Sequence, residues 1–349
     1  MSKNIGIIGA GAWGTAIAQA LARGEHKVQV WAMEKDVVDS INSVHENKIF
    51  LPNFILSDNI TATNDIKEAS NCKDFLIIAS PSLYLKKTVS QILDVPSIID
   101  GSTCIGVLTK GFVPSSNGPK LIVETLEDIL PELYRKSIVY IAGPSHAEEV
   151  AMGKLTGLIA ASENPMNSIR FRELMKVQGL MVFSSLDVIG VQICAAAKNV
   201  IAIVYGCLDA IAETSELFGD NTESFLLAAG LNEIQTLGFA MGATHAETFS
   251  SIAGVGDLHV TCKSKYGRNR RFGHDIIKKN ILAPFKNLDD LIKNIDRIGY
   301  LPEGVVACKY INEIQQKLNV KLPISNGLYR ILNREIEPLD FLKELLTYA

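Results

Sequence analysis

Residues 4–18 read NIGIIGAGAWGTAIA, and the rest of the chain is best understood outward from them. Ile5, Ile7 and Ile8 form a short apolar run dense in β-branched side chains, which predicts a buried strand. Gly9, Gly11 and Gly14 follow in the spacing G-x-G-x-x-G, and residues 15–21 continue as an alanine-rich, apolar helix. Each glycine has its own task in such a unit. The first turns the chain, the second lets backbone approach a pyrophosphate, and the third lets helix pack on strand. The helix N-terminus behind them offers unpaired N–H groups and the positive end of its dipole to phosphates. Glycine-rich turns are common, but here a strand precedes, a helix follows, and a second strand, Lys27–Trp31, arrives at the expected interval. The stretch predicts a dinucleotide-binding turn.

Length and composition bound what surrounds it. A chain of 349 residues exceeds one typical domain, and 47% hydrophobic residues can fill two cores. No uninterrupted apolar run is expected to span a membrane, so no membrane insertion is expected. The apolar N-terminal run carries the glycine pattern and leads into a folded unit, so it does not read as a secretory signal. A net charge of −4 argues against nucleic acid or an anionic lipid surface as partner. The six cysteines (Cys72, Cys104, Cys194, Cys207, Cys262, Cys308) show no C-x-x-C pair. That usage fits reduced, mostly buried thiols in a cytoplasmic protein rather than a disulfide framework or zinc site.

Along the chain, patterning predicts helices at 36–44, 65–69, 85–93, 121–130 and 167–177. Strands are predicted at 60–63, 75–79, near 98 or at 104–108, at 138–142, 156–161 and 181–184. Strands alternating with helices imply a parallel sheet covered on both faces. The character changes near Asp187. From Val188 onward helical patterns dominate: 188–212, 222–241, 245–251, 271–278, 288–294, 305–318 and 341–346. The expected fold is thus an α/β, Rossmann-like doubly wound domain over 1–187 and an all-α substrate or catalytic domain over 188–349.

In an open parallel sheet, ligands sit beyond the carboxyl ends of the strands. Those ends carry Ser80-Pro81-Ser82, Lys110-Gly111 and Gly143-Pro144-Ser145. Lys110 there is either a solvated surface lysine or an ammonium set near phosphate or nicotinamide. Lys198 stands alone among small and apolar residues in Cys194-Ala195-Ala196-Ala197-Lys198-Asn199-Val200. It must snorkel to water or face a site, where desolvation or a nearby cation would tune it for proton transfer. Gly254-Val255-Gly256-Asp257 reads as a glycine-hinged turn presenting one carboxylate. Lys265-Tyr266-Gly267-Arg268-Asn269-Arg270-Arg271 concentrates cations suited to a phosphate. An RNA-binding loop is the rival reading of that cluster, disfavoured by the acidic whole. The histidines show no metal-ligand spacing. His26, His45 and His245 read as surface residues, and His146 as lining the cleft.

Taken in order, GAGAWGTA (9–16), TKG (109–111), GPSHAEEVA (143–151), AKNVIAI (197–203), GVGDL (254–258), GRNRRFG (267–273) and PEG (302–304) resemble bacterial NAD(P)-dependent glycerol-3-phosphate dehydrogenase nearly end to end. The resemblance implies that Lys198 is the general acid/base, with Asp257 beside it. It implies substrate contacts at Lys110, Gly143, Ser145, Lys198, Asp257, Gly267, Arg268 and Asn269. Cofactor contacts fall on Gly9, Gly11, Ala12, Trp13, Gly14, Met33, Lys110, Ala147, Arg268, Leu301 and Glu303. It further implies NAD(H) or NADP(H) as cofactor and dihydroxyacetone phosphate and sn-glycerol 3-phosphate as substrates. A cytoplasmic homodimer feeding phospholipid synthesis completes the expectation. The chain departs from the family pattern at Asn221-Thr222-Glu223-Ser224 and Ala228-Ala229-Gly230, where Glu223 and Ala229 stand in place of arginines, and at Ala195-Ala196, where Gly-Gly is usual.

Rival readings are a dehydrogenase of the same build acting on another hydroxy acid, and a dinucleotide sensor without turnover. The first lacks a use for GRNRRFG, and the second for a lone lysine with an aspartate partner. Glu34 lies about twenty residues beyond the glycine turn, where a carboxylate binds the ribose 2′-OH of NAD. It either does so or faces solvent just past the strand end.

Overall fold

The computed structural model describes residues 2–264 and 267–347, which divide into two compact units. The first comprises Met1–Val113 and Lys120–Val188, and the second Pro114–Pro119 and Ile189–Ala349. The short excursion 114–119, PSSNGP, is a turn-rich loop grouped with the second unit. There, Lys317 Nζ donates to the Asn117 carbonyl oxygen at 3.1 Å.

Ten strands occur among the described residues of the first unit: β1 (Asn4–Ile8), β2 (Lys27–Trp31), β3 (Ile60–Thr63), β4 (Phe75–Ile78), β5 (Cys104–Val107), β6 (Phe112–Val113), β7 (Lys120–Leu121), β8 (Val139–Ala142), β9 (Thr156–Ala161) and β10 (Leu180–Ser185). Eight build one sheet in the order β10-β9-β8-β5-β4-β1-β2-β3, while β6 and β7 form a small antiparallel hairpin. β1 and β4 carry continuous apolar runs because both faces of the sheet centre are covered; Ile5, Ile7, Leu76 and Ile77 are fully buried. The chain leaves β1 toward β2 and β3, then returns to place β4 on its other side, so β1 and β4 flank the switch point.

One pairing differs from an all-parallel sheet: β9 runs antiparallel to β8, with Tyr140 opposite Ala161. The helix between them, Ala147–Ala151, has five residues. At ~1.5 Å of rise per residue it is too short to carry the chain back to the start of β8. The segment around Ile98 is helical (Pro96–Ile99), which leaves Cys104–Val107 as the strand.

In the second unit the helix Val188–Ala212 is the central member. Contrary to the composition-based expectation, it is long and apolar enough to cross a membrane. Yet 94% of its most apolar window is buried inside the protein, so it is a core helix. Against it pack Asp220–Ala240, Asp257–Lys263, Arg268–Lys279 and Glu303–Leu318, while Pro323–Leu332 packs on Asp220–Ala240 and Glu303–Leu318, and Pro338–Thr347 on Pro323–Leu332. Arg268–Lys279 crosses it at backbone contact, since a Cβ on Gly273 would lie 1.9 Å from the Ile203 carbonyl oxygen. The helix at 323–332, absent from the pattern reading, begins on a buried carboxylate: Glu233 accepts from the N–H groups of Ile324 and Ser325 at 2.7 and 2.8 Å. Those are N–H groups that a helix cannot satisfy internally.

Candidate active site

The glycine turn closes where β1 ends. Gly9 N–H donates to the Trp31 carbonyl at 3.0 Å, and Ala79 N–H to the Ile8 carbonyl at 2.9 Å, so the turn lies across the ends of β1, β2 and β4. Gly9 has φ +121°, and a Cβ on Gly14 would lie 2.1 Å from the Gly9 carbonyl oxygen; both positions are closed to larger residues by the protein itself. Gly11 is different. A Cβ there would meet nothing within 4 Å, so open space lies in front of it.

Gly11 is also the N-cap of the helix Ala12–Arg23, with no side-chain cap and no acidic residue in the first turn. Trp13 Nε1 is buried with no hydrogen-bond partner among the described residues. Uncapped N–H groups, an orphan donor and room for close approach fit a bound pyrophosphate.

The other residues assigned to the first unit gather on the same carboxyl edge. Thr109 Oγ1 donates to the Ser80 carbonyl at 2.7 Å, tying the ends of β5 and β4 beside half-buried Lys110. Past β8, Ser145 Oγ donates to the Gly143 carbonyl at 2.8 Å, and Ala147 opens a helix whose N-cap position is held by His146. Met33 is 75% exposed past the end of β2, and Glu34 is the exposed N-cap of the helix Lys35–Val44. His26 and His45, expected at the surface, are half-buried; the His26 ring lies between Lys3 N–H and the Leu174 carbonyl.

In the second unit, Lys198 and Asp257 form a direct ion pair, 6% and 1% exposed. Asp257 does not sit in a turn. A π-helical turn, Ile252–Gly256, runs straight into the helix Asp257–Lys263, so the aspartate occupies a helix's first position, where its charge suits the dipole. Next along the lysine helix, Asn199 Oδ1 accepts from Asn269 Nδ2 at 3.0 Å, and Asn269 Oδ1 accepts from Gly304 N–H at 2.9 Å. Lys198, Asn199, Asp257, Asn269 and Glu303-Gly304 are thus one assembly, with half-buried Leu301 just ahead of it. The sequence singles out Asn199 only as the lysine's neighbour.

The basic run sorts itself by partner. Arg270 pairs with Asp209, and Arg271 lies over the Tyr300 ring at 4.6 Å with Asp275 at 3.7 Å. Arg268 is exposed and has no ion-pair partner among the described residues. Gly267 is buried ahead of it, while Lys265 and Tyr266 lie outside the described residues. Glu223 pairs with Lys263 and accepts from Tyr205 Oη at 2.6 Å. The carboxylate that replaces a family arginine is therefore matched by a cation. Burial pushes the Cys262 thiol, near Lys198, up to about 12, and it lifts the Asp209 carboxyl despite Arg270. Among the described residues no three His, Cys, Asp or Glu side chains come together to hold a metal ion.

Comparison with known proteins gives matches along the whole chain. Residues 4–168 match the family model for the NAD-dependent glycerol-3-phosphate dehydrogenase N-terminus, and residues 187–343 match that for its C-terminus. A Treponema denticola protein named glycerol-3-phosphate dehydrogenase [NAD(P)+] is 59% identical over 352 residues, covering 99% of each chain. A Treponema pallidum protein of the same name is 50% identical over 354 residues, again covering 99% of each. The crystal structure of glycerol-3-phosphate dehydrogenase from Coxiella burnetii superposes with a TM-score of 0.85 at 30% identity, covering 99% of both chains.

Proposed function

The chain belongs to the NAD-dependent glycerol-3-phosphate dehydrogenase family and is an NAD(P)-dependent oxidoreductase interconverting dihydroxyacetone phosphate and sn-glycerol 3-phosphate; from that premise we propose that Lys198 moves the proton of the reaction. The observation that carries this reading is the buried Lys198–Asp257 pair. An ammonium withdrawn from water is costly unless a carboxylate accompanies it. Asp257 offsets that cost and fixes the direction of the ammonium.

NAD(P)H, when bound, supplies the hydride for C2. The glycine turn, with Ala12, Trp13 and Gly14, would hold its pyrophosphate, and Met33, Glu34, Lys110, Ala147, Arg268, Leu301 and Glu303 complete the proposed cofactor contacts. In reduction, Lys198 gives its proton to the carbonyl oxygen of dihydroxyacetone phosphate; in oxidation, neutral Lys198 takes the proton from the C2 hydroxyl. Arg268 binds the phosphate through its guanidinium fork, the use left open by its lack of a described ion pair. Asn269 adds one donor, its other amide contacts being spent on Asn199 and Gly304. Lys110, Gly143, Ser145 and Gly267 complete the proposed substrate contacts. The same reading makes the protein a cytoplasmic homodimer that supplies sn-glycerol 3-phosphate for phospholipid synthesis, organised as domains 1–187 and 188–349.

The test is cofactor oxidation with dihydroxyacetone phosphate, glyoxylate and 2-ketopantoate, each run with NADH and NADPH. Turnover confined to dihydroxyacetone phosphate is expected. Comparable turnover of the unphosphorylated 2-ketopantoate would count against Arg268 as the phosphate clamp.

A further inference from the structure

Asn47 lies in the loop after the helix Lys35–Val44 and is fully buried, 0% exposed, while its neighbours Ile49 and Phe50 face outward. A buried amide is costly unless its groups are used, and this one is used on the glycine turn. Its Nδ2 donates to the Ala10 carbonyl at 2.7 Å and to Thr15 Oγ1 at 2.8 Å. Its Oδ1 accepts from Phe50 N–H at 3.0 Å, and Leu51 N–H donates to the Asn47 carbonyl at 3.0 Å, which anchors the loop around it. Thr15 Oγ1 donates in turn to the Ala10 carbonyl at 3.1 Å.

The carbonyl between Gly9 and Gly11 therefore receives two donors. In a planar trans peptide, the C=O of Ala10 and the N–H of Gly11 point in opposite directions, so fixing one fixes the other. Two glycines flanking this segment would otherwise make a peptide flip cheap. A flipped peptide would turn an oxygen, instead of an N–H, toward an anion at the helix N-terminus. We infer that Asn47 is a positioning residue for the cofactor's pyrophosphate: it locks the Ala10–Gly11 peptide in the orientation that offers an N–H. The inference rests on the glycine turn being the pyrophosphate site.

The test is titration with NADH, followed by intrinsic fluorescence. The chain has two tryptophans, Trp13 inside the turn and Trp31 at the end of β2. Asn47→Ala should weaken NADH binding about tenfold or more, the scale of one lost hydrogen bond to a charged group. kcat at saturating NADH should stay within about a factor of two, since the change acts on binding alone. Amide exchange over residues 10–15 should quicken in the cofactor-free protein. Thr15→Val should weaken binding about threefold, and the double variant should lose less than the product, because both act on one carbonyl. A lower Tm with unchanged NADH affinity in Asn47→Ala would make the residue merely structural and overturn the inference. If Asn47→Ala does not fold, Thr15→Val decides: unchanged affinity there overturns it equally. Gly11→Val separates the underlying reading. Loss of NADH binding in Gly11→Val alone sinks only the role of Asn47, whereas normal binding in Gly11→Val removes the pyrophosphate site itself and the inference with it.

Discussion

Lys198 and Asp257, 59 residues apart in sequence, meet in a direct ion pair at the buried surface between two helices. Neither helix needs the pair for its own formation. The lysine lies mid-helix among alanines, where any apolar residue would pack, and the aspartate opens a helix through a π-turn that is itself an irregular and less favourable geometry. Replacing such a pair with apolar side chains is often neutral or stabilising, so its presence here argues for chemistry over stability.

Lys198→Ala is accordingly expected to lower kcat by about 10²-fold or more, the range for a general acid–base group. The fold should survive, checked by circular dichroism and Tm. A folded variant that keeps more than a tenth of wild-type kcat would remove Lys198 from the role.

Arg268→Ala should behave otherwise. Arg270 and Arg271 are engaged with Asp209, Asp275 and Tyr300, and exposed Arg268 is the arginine proposed to bind the phosphate. Its loss should strongly depress kcat/KM for dihydroxyacetone phosphate and matter much less for unphosphorylated dihydroxyacetone, which offers the guanidinium no partner. Equal losses for both substrates would point to a structural or cofactor role.

Much of this was legible in sequence because it rests on local rules. The strand–glycine–helix unit, the change to helices at Val188 and the lone lysine follow from periodicity and from one residue in the wrong company. What was not legible depends on distant pairings. The antiparallel β9 arises from the length of a crossover helix, which pattern reading does not resolve. The Glu223–Lys263 pair joins residues 40 apart, so the glutamate read as a lost arginine and not as half of a matched pair. The amide of Asn47 reaches back 37 residues to the glycine turn, and an asparagine before an apolar loop carries no local signal of it. Asp257 read as a turn residue because its glycines suggested one; the π-turn reconciles them with a helix.

Alkaline pH should unfold the second unit through its thiols. Burial pushes Cys207 and Cys262 from an ordinary 9.0 up to about 12, and Cys308 still higher. A folded-state pKa above the unfolded one means that stability is complete below the unfolded value and is lost as pH rises toward the folded one. Each such thiol then costs ~1.4 kcal/mol per pH unit in that window. Tm should be flat from pH 7 to 8.5 and fall from pH 9 to 11, and Cys207→Ala should make the fall shallower. An unchanged slope in that variant would assign the alkaline loss to other groups, among them Tyr205 and Tyr300, whose hydroxyls burial also lifts.

Cofactor choice turns on the residues past β2. The Trp31 carbonyl is hydrogen-bonded to Gly9 N–H, so the segment Ala32-Met33-Glu34-Lys35 leaves the sheet directly beside the glycine turn. Asn64 Nδ2 donates to the Ala32 carbonyl at 2.9 Å, and Trp31 Nε1 donates to the Asn64 carbonyl at 3.0 Å, which fixes the exit of the chain. Beyond it, Glu34 stands at the N-cap position of a helix whose first turn contains Asp36, with Lys35 as the local cation. A carboxylate in this region suits the ribose 2′-OH of NAD, whereas a 2′-phosphate calls for an arginine. The two negative charges would repel that phosphate, and a single exposed lysine, strongly hydrated and without a bidentate fork, offsets them only in part. The expected behaviour is use of both cofactors with a preference for NADH. Glu34→Ala should shift the ratio of kcat/KM values toward NADPH, chiefly through KM for the cofactor. Both values are to be measured for both cofactors on wild type and variant at one ionic strength, since the repulsion is screened by salt. A wild type that prefers NADPH tenfold, with no response to the substitution, would place Glu34 in solvent and assign the choice of cofactor to other residues.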